Sequence, residues 1–297
     1  MVQLEHFNYT PILGWSISRY DTFSSCKRAY YYNYYGKFDN EIPTELINKL
    51  KKLTSIPLEI GNITHDIIRD LLNRYKKVNT PIDMARMQSY IFNLTKRYCS
   101  NKQFSEVYYG HLSEIDLNAI YEKVKTGVIG VLNSERVKWI TSQAISNSAN
   151  WVVEPAGYGE TRFNNMKAYC KVDFLFPLAN DIYIIDWKSG RMNPEKHRKQ
   201  MLAYSLWAKN LYNVYIENII PIVGYIYPVY HEIGEPFTQE ELDQFEKTLA
   251  LQTQEMYTMC ASIKDNTPVR KEFFTQTDDM FNCFYCNYRE LCGRGNI

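Results

Sequence analysis

The chain has 297 residues, 45% of them hydrophobic and 23% charged, a composition that supports a folded core and excludes a disordered chain. Its 34 basic and 33 acidic side chains give a formal net charge of +1, so it is not a strongly basic protein, and contact with nucleic acid would need a local patch. The longest apolar stretch, residues 219–227, is far shorter than the ~20 residues of a membrane helix. The first residues do not resemble a signal peptide. We therefore expect a cytoplasmic protein without a membrane segment.

The first half of the chain is predicted to be mostly helical. Four helical segments follow from apolar spacing and from capping residues: 16–35, 56–75, one that opens at Pro81, and 117–145. The first can begin at Ser16 or Ser18 and stop at Gly36. Residues 45–146 are therefore expected to form a helical subdomain.

The period changes after residue 150. Runs rich in β-branched and aromatic residues predict strands, and longer amphipathic stretches predict helices, in this order: strands at 151–154, 168–176 and 182–187, a helix at 194–210, a strand at 219–227 and a helix at 240–263. This order predicts an α/β fold, a mixed sheet flanked by helices. We expect one domain over 1–297, with its α/β core at 147–262.

Two carboxylates and a lysine stand at the ends of two adjacent predicted strands. Asp186 and Lys188 share one face of their strand and Trp187 points to the other, because side chains alternate along a strand. Asp173 lies thirteen residues earlier, and the two strands can pair through the connection at 177–181. Close carboxylates repel unless a cation lies between them, and a hard divalent cation with oxygen ligands fits. The set suits phosphodiester hydrolysis, although such a short motif taken alone is more often a solvated salt bridge.

The chain resembles the RecB-like, iron–sulfur branch of the PD-(D/E)xK nuclease superfamily, which includes CRISPR-associated adaptation exonucleases and nuclease modules of recombination helicases. The matching elements occur in the family's order: Ser16-Ile17-Ser18-Arg19 leading to Cys26, Gly61-x-x-x-His65, Glu154, Val172-Asp173, Ile185-Asp186-Trp187-Lys188, Gln200-Met201-Leu202-Ala203-Tyr204 and three final cysteines. Lys27 and Val172 replace prolines that relatives often carry. The resemblance implies a restriction-endonuclease-like fold.

The resemblance also implies a role for each matching residue. The ligands of Mg²⁺ or Mn²⁺ would be His65, Asp173, Asp186 and the backbone carbonyl of Trp187. The other catalytic residues would be Glu154, Lys188, Gln200 and Tyr204. Taken alone, a histidine in an apolar helix is more often structural. Asp66 and Glu160 remain alternatives to His65 and Glu154, and the Gln200–Tyr204 pair alone fits an amphipathic helix equally well.

Three cysteines near the end of the chain have the spacing Cys283-x2-Cys286-x5-Cys292, and Cys26 stands at the family's N-terminal cysteine position. Zinc and iron–sulfur clusters both accept four cysteines. A zinc ribbon would show two close C-x-x-C pairs, whereas this long-range pattern resembles the family's [4Fe–4S] cluster. We expect that cluster, with Zn²⁺ as the alternative, in a region formed by 263–297 and Cys26. Closing so long a loop predicts a structural role.

A basic run adjoins the predicted catalytic strand. Residues 188–199 carry a net charge of +4, and its DNA-binding candidates are Arg191, Lys196, Arg198 and Lys199. Such a cluster can contact a phosphate backbone. A charge run is by default a solvated helix start, and only the neighbouring carboxylates favour the DNA-binding interpretation.

The sequence thus predicts a Mg²⁺- or Mn²⁺-dependent deoxyribonuclease, an exonuclease on single-stranded DNA or DNA ends. By family analogy the products carry 5′-phosphate and 3′-hydroxyl ends, and Tyr204 is among tyrosines that can stack on bases. A helicase or a CRISPR-adaptation protein is a candidate partner, and DNA repair or antiviral defence a candidate role. The rival interpretations are an inactive DNA-binding or scaffold subunit, a structure-specific endonuclease and, least favoured, an iron–sulfur redox protein.

Overall fold

A computed structural model describes residues 7–78, 80–155 and 159–295. Helices form the first half of this described part. They are α1 (Ile17–Ser25), α2 (Lys27–Tyr35), α3 (Thr44–Lys51), α4 (Ile56–Tyr75), α5 (Met84–Cys99), α6 (Ser105–Tyr108), α7 (Leu117–Leu132) and α8 (Glu135–Ser142), followed by a 3₁₀ segment at Ala144–Asn150.

Strands and helices alternate in the second half. They are β1 (Val152–Val153), β2 (Glu160–Phe163), β3 (Met166–Tyr169), β4 (Phe174–Leu178), β5 (Asp181–Lys188), α9 (Pro194–Tyr212), β6 (Ile219–Tyr225), β7 (His231–Ile233), α10 (Gln239–Tyr257), β8 (Cys260–Ser262), β9 (Thr267–Pro268) and α11 (Met280–Phe284). Among the described residues, no helix combines the length and hydrophobicity needed to cross a membrane.

The central sheet is mixed and has the strand order β1-β4-β5-β6-β7. Strands β5 and β6 are parallel and joined through α9, whereas the other neighbours are antiparallel. In the β4–β5 hairpin, Phe174 lies opposite Ile185. The next positions outward, Asp173 and Asp186, are therefore brought together, as the two predicted strands required.

Side-chain alternation along β5 separates two apolar cores. Ile182 and Ile184 pack with α9 on one face, whereas Ile185 and Trp187 pack with α4 and α8 on the other. The indole of Trp187 stacks on the ring of Phe174, with 6.2 Å between centroids. Burying each large apolar side chain contributes roughly 1.5–3 kcal/mol. The mixed sheet flanked by helices confirms the predicted α/β class, whereas the division at 45–146 and 147–262 stays a prediction.

Local capping explains several of the helix starts. Oγ of Ser16 accepts a hydrogen bond from the Arg19 N–H and opens α1, as predicted, and Ser55 opens α4 in the same way. The prediction of a helix from Pro81 was wrong by three residues. Oδ1 of Asp83 accepts from the N–H groups of the first turn, so α5 begins at Met84.

Two other predicted segments were wrong because chain breaks outweigh periodicity. The helix predicted over 117–145 divides at Ser134, whose hydroxyl caps α8 by accepting from the Val137 N–H at 3.2 Å. The strand predicted over 168–176 is two strands, since β3 pairs with β2 in a separate sheet and β4 joins the central one. The strands β2, β7 and β9, of two to four residues each, were not predicted because they are too short to show a period. The end of the helix predicted over 240–263 was wrong: α10 ends at Tyr257, and Cys260–Ser262 form β8.

The beginning and the end of the described chain pack together. The Arg28 N–H donates to the Thr275 carbonyl at 3.0 Å, and the ring of Tyr31 lies 5.0 Å from that of Phe274. Nζ of Lys271 pairs with Oδ2 of Asp39 at 2.9 Å. These contacts bring α1 and α2 next to the cysteine-bearing C-terminal segment.

Candidate functional site

An imidazole and two carboxylates converge where α4 meets the β4–β5 hairpin. Nδ1 of His65 lies 3.3 Å from Oδ2 of Asp173. One donor atom each of His65, Glu154 and Asp173 lie within 4.8 Å of one another. These three residues come from a helix, the end of β1 and the start of β4, so only the folded chain brings them together.

A glycine lets α4 approach the end of β5. A Cβ atom at Gly61, one turn before His65, would lie only 2.8 Å from Oγ of Ser189, just after β5. The Gly61-x-x-x-His65 spacing therefore has a steric reason: the helix must come close at Gly61 for His65 to reach Asp173.

Glu154 is held in an unusual backbone conformation. Its φ angle is +32°, a left-handed region that side chains other than glycine seldom adopt, at a cost of about 1–3 kcal/mol. Its N–H donates to the Asp173 carbonyl at 2.9 Å, which fixes Glu154 beside Asp173. Such strain is concentrated at functional sites in proteins.

Asp186 and Lys188 form a buried ion pair on the α9 face of β5. Nζ of Lys188 lies 2.6 Å from Oδ2 of Asp186, whose side chain is only 3% exposed. Burial, reinforced by the negative charge of Asp173, raises the pKa of Asp186 to about 6 despite the ammonium. The site therefore holds more negative charge than Lys188 alone compensates.

Charge pairing between His65 and Asp173 shifts the pKa of each group in the direction that favours its charged form. Burial alone would lower the pKa of His65, but the charge and hydrogen bond of Asp173 raise it to about 9. Asp173 is buried too, yet His65, Lys188 and the Trp187 N–H hold its pKa below the usual value. That N–H donates to Oδ2 of Asp173 at 2.9 Å. Without an added ion, His65 is thus a cation bound to a carboxylate.

A hydrogen-bond chain runs from Lys188 into α9. Nζ of Lys188 donates to Oε1 of Gln200 at 2.6 Å, Nε2 of Gln200 donates to the Tyr204 hydroxyl at 2.7 Å, and that hydroxyl donates to the Lys171 carbonyl at 2.7 Å. Gln200 and Tyr204 therefore face the candidate site. The idea that Tyr204 stacks on bases was wrong: the residue is 6% exposed, and burial raises its pKa well above the usual value.

The donor set fits a hard divalent cation. Carboxylate oxygens with one imidazole nitrogen suit Mg²⁺ or Mn²⁺, and the buried Oδ2 of Asp186, which pairs with Nζ of Lys188, is a further anionic oxygen of the same kind. Asp186 itself lies outside the group whose donors come within 4.8 Å of one another. The structure places the Trp187 N–H at Asp173, while a ligand role for its carbonyl stays a prediction.

The two alternative acids are engaged elsewhere. Asp66 pairs with Arg69 and accepts a hydrogen bond from the Tyr98 hydroxyl. Glu160 lies on β2 in the separate two-stranded sheet, where it pairs with Arg162 at 2.7 Å. The geometry therefore favours His65 and Glu154 over these alternatives.

The four cysteines singled out by their spacing line one cavity of about 410 Å³ between α1, α2 and the C-terminal segment; they are Cys26, Cys283, Cys286 and Cys292. Burial, followed by the proximity of the other three thiols, raises the pKa of Cys286 to about 12. Within the described residues, no three of these sulfurs lie within 4.8 Å of one another. The four thiols therefore line the cavity, and their sulfur atoms do not converge on one point.

Comparison with known proteins decides the family. Residues 14–293 match the family model described as the PD-(D/E)XK nuclease superfamily. The chain belongs to this superfamily. Its members are generally nucleases, and the mixed sheet flanked by helices is consistent with their fold. No curated protein is significantly similar to the chain. A solved structure titled "Crystal structure of SSO0001" is similar at 14% identity, over 70% of this chain and 96% of that one, with a TM-score of 0.34.

Two basic residues of this PD-(D/E)XK chain escaped the sequence analysis. Nη1 of Arg69 lies 3.6 Å and Nζ of Lys171 lies 3.5 Å from Oε2 of Glu154. For Arg69 the sequence contains a signal that could have identified it: Arg69 follows His65 by four residues on α4 and therefore lies on the same face of the helix. Both cations border the carboxylate site, where an anionic substrate would approach.

The predicted basic run is more neutral than its sequence suggests. Three of its members pair with acids: Lys196 with Asp21 at 2.7 Å, Arg198 with Glu241 at 2.7 Å, and Lys199 with Glu195 at 3.1 Å. Arg191 is exposed and forms no ion pair with the described residues. Two of these acids come from α1 and α10, outside the run, so counting charge over 188–199 overstated the local field.

Proposed function

We propose that this protein is a Mg²⁺- or Mn²⁺-dependent deoxyribonuclease of the RecB-like, iron–sulfur branch, acting as an exonuclease on single-stranded DNA or DNA ends. The observation that carries the proposal is the meeting of His65, Glu154 and Asp173 beside the buried Asp186–Lys188 pair. Membership of a superfamily of nucleases supports it.

The divalent cation would be held by His65, Glu154, Asp173 and Asp186, with the Trp187 carbonyl as a further ligand. When bound, the cation would polarise the scissile phosphate and make the attacking water more acidic. His65 must first give up the proton that Asp173 stabilises, because only the neutral imidazole is a ligand.

Lys188 would position the reacting groups. An ammonium has three N–H bonds, and Asp186 and Gln200 fix two of their directions. The third is left for the attacking water or a phosphate oxygen. Gln200 is held in turn by Tyr204, which stays protonated. Arg191, which forms no ion pair with the described residues, is the cation best placed to meet the phosphate backbone. Arg69 and Lys171 border the carboxylate site but already pair with Glu154, and Lys196, Arg198 and Lys199 also pair with acids, so these five would contribute less.

The cysteine cavity would hold a [4Fe–4S] cluster, with Zn²⁺ as the alternative. A zinc ion with four thiolates at about 2.3 Å brings the sulfurs to roughly 3.8 Å from one another. No three of the described sulfurs lie within 4.8 Å of one another, and this supports the larger cluster. The centre would join Cys26 to the C-terminal segment and so stabilise the fold.

The decisive experiment digests end-labelled linear, circular and single-stranded DNA with Mg²⁺, with Mn²⁺ and with EDTA. We expect stepwise degradation of linear and single-stranded DNA with either metal, intact circles, and no cleavage in EDTA. Products with 5′-phosphate and 3′-hydroxyl ends are expected. Lys188→Met should lower the rate by about 10³-fold. Asp243→Asn is the matched control, because Asp243 is exposed on α10, and it should keep the parental rate.

Each contrary result has a defined meaning. Cutting of circles at the linear rate would make the protein an endonuclease. DNA binding without turnover, independent of metal, would make it an inactive DNA-binding or scaffold subunit. Parental turnover by Lys188→Met would refute the proposed site. A helicase or CRISPR-adaptation partner and a role in repair or antiviral defence stay proposals, as does a cytoplasmic location.

The centre has its own test, independent of DNA. Anaerobically purified protein should absorb near about 400 nm and contain iron and acid-labile sulfide. A colourless protein with stoichiometric zinc would overturn the cluster and leave the nuclease proposal standing.

A further inference from the structure

Arg289 is a buried cation that forms no ion pair with an acid of the described residues. The residue is 2% exposed and lines the cysteine cavity. Its Nη1 donates to the Phe284 carbonyl, its Nη2 lies 2.6 Å from Nε2 of His111, and its guanidinium carbon lies 3.8 Å from the centroid of the Tyr109 ring. Its Nε has no hydrogen-bond partner among the described atoms. None of these neighbours carries negative charge, although a buried guanidinium is costly without a counter-charge.

A second arginine contacts one of the same thiols. Nη1 of Arg294 donates to Sγ of Cys283 at 2.7 Å, and Arg294 also lines the cavity. It forms no ion pair with a carboxylate of the described residues, and Asp278 is the acid whose charge acts on it. The other cation at the cavity, Lys196, is already paired with Asp21.

The missing negative charge matches what four metal-bound cysteines would provide. Thiols bind metal as thiolates, and four thiolates around Zn²⁺ or an oxidised [4Fe–4S]²⁺ cluster leave a net charge of about −2. One-electron reduction of the cluster by an external reductant makes this about −3. The guanidinium groups of Arg289 and Arg294 together carry a charge of about +2 and offset most of that charge.

We propose that Arg289 and Arg294 form a cationic shell that balances an anionic tetrathiolate centre in the cysteine cavity. The inference rests on the centre proposed above, and it adds a role for the arginines. The shell stabilises the more negative, reduced state of a cluster more than the oxidised state. It therefore raises the reduction potential and slows loss of the centre.

The test uses the anaerobically purified holoprotein and two readouts that do not involve nuclease activity. The midpoint potential is measured by a dithionite titration followed by electron paramagnetic resonance, and release of the centre is timed in excess EDTA. Arg294→Gln removes one charge but keeps an N–H donor, and Arg294→Lys restores the charge. Arg289→Gln removes the buried cation. Arg86→Gln, on exposed α5, is the matched control.

We expect Arg294→Gln to shift the potential to more negative values and to speed loss of the centre several-fold. Arg294→Lys should recover most of both effects, and Arg86→Gln should change neither. If Arg289→Gln fails to fold, the comparison of Arg294→Gln with Arg294→Lys tests the proposal by itself.

Equal potentials and equal release rates in Arg294→Gln and the parent, at full iron and sulfide content, would overturn the shell while leaving the cluster. In a zinc-loaded protein, where no reduction potential can be measured, an unchanged release rate in Arg294→Gln would likewise overturn the shell. If the parent protein retains neither iron nor zinc, both the proposed centre and the proposed shell are overturned. The nuclease assay would still test the proposed nuclease function.

Discussion

The carboxylate site and the cysteine cavity differ in how their charges are balanced. At the carboxylate site the protein supplies its own counter-charges: His65 faces Asp173 and Lys188 faces Asp186. At the cysteine cavity Arg289 is buried without an anion among the described residues, and the thiol of Cys286 is held neutral by burial. The first site is assembled before any ion binds, whereas the second is electrostatically incomplete.

This difference predicts that the two proposed metal centres differ in how readily they exchange their metal. An ion at the carboxylate site must compete with a proton and an ammonium that already satisfy the acids, so it should be exchangeable and pH-dependent. An ion or cluster at the cysteines would supply charge that the fold lacks, and should be retained and coupled to stability.

The largest expected effect is a loss of DNA cleavage at the carboxylate site without a loss of folding. Asp186→Asn should lower DNA cleavage by about 10³-fold or more, because an anionic metal ligand is lost. The metal-free variant should be at least as stable as the parent, since the raised pKa of Asp186 means that its ionised form disfavours the fold as pH rises from about 4 to 6. Cleavage rates and thermal melts in EDTA measure the two effects. A variant that loses cleavage only by unfolding would contradict the distinction.

The opposite pattern is expected at the cavity. Cys286→Ser should cost about 3 kcal/mol and lower the melting temperature by roughly 5–10 °C, because it removes one ligand of the proposed structural centre. The folded fraction should still cut DNA. Calorimetry and cleavage normalised to folded protein test this. Cys99→Ser, at a buried thiol outside the cavity, controls for loss of a buried sulfhydryl.

A smaller effect concerns pH. His65 is protonated below about pH 9 without metal, so Mn²⁺ affinity should rise about tenfold per pH unit from 6 to 9 and then level off. Metal-free stability should run the other way: the folded-state pKa of His65 exceeds the usual 6.5, so its contribution is complete below pH 6.5 and is lost by about pH 9. Titration calorimetry and thermal melts measure these trends, and His65→Asn should flatten both.

The smallest effect tests the basic run. Arg191→Ala should weaken binding of single-stranded DNA a few-fold and reduce the salt slope by about 0.7, because it removes one free phosphate contact. Lys199→Ala should do less, since Glu195 already offsets that charge. Fluorescence anisotropy at several salt concentrations compares them, with Lys138→Ala on α8 as a distant control. Equal losses from Arg191 and Lys199 would show that the ion pair does not persist in solution.

Part of the fold and site followed from local patterns. The cap at Ser16, the helix at 56–75 and the strand carrying Asp186 and Lys188 are set by residues a few positions apart, so the sequence alone predicts them. Where a nearby cap or break competes with periodicity, as at Asp83 and Ser134, prediction was less accurate.

By itself, the sequence determined which chemical groups are present and which face of a helix or strand carries them. Only the tertiary structure decided which charges neutralise one another. Glu154 pairs with Arg69 and Lys171, the basic run pairs with acids of α1 and α10, and Arg289 forms no ion pair within the part of the chain that the structure describes. The reason is that backbone periodicity acts over a few residues, whereas Coulomb interactions and burial depend on distances between segments that are far apart along the chain.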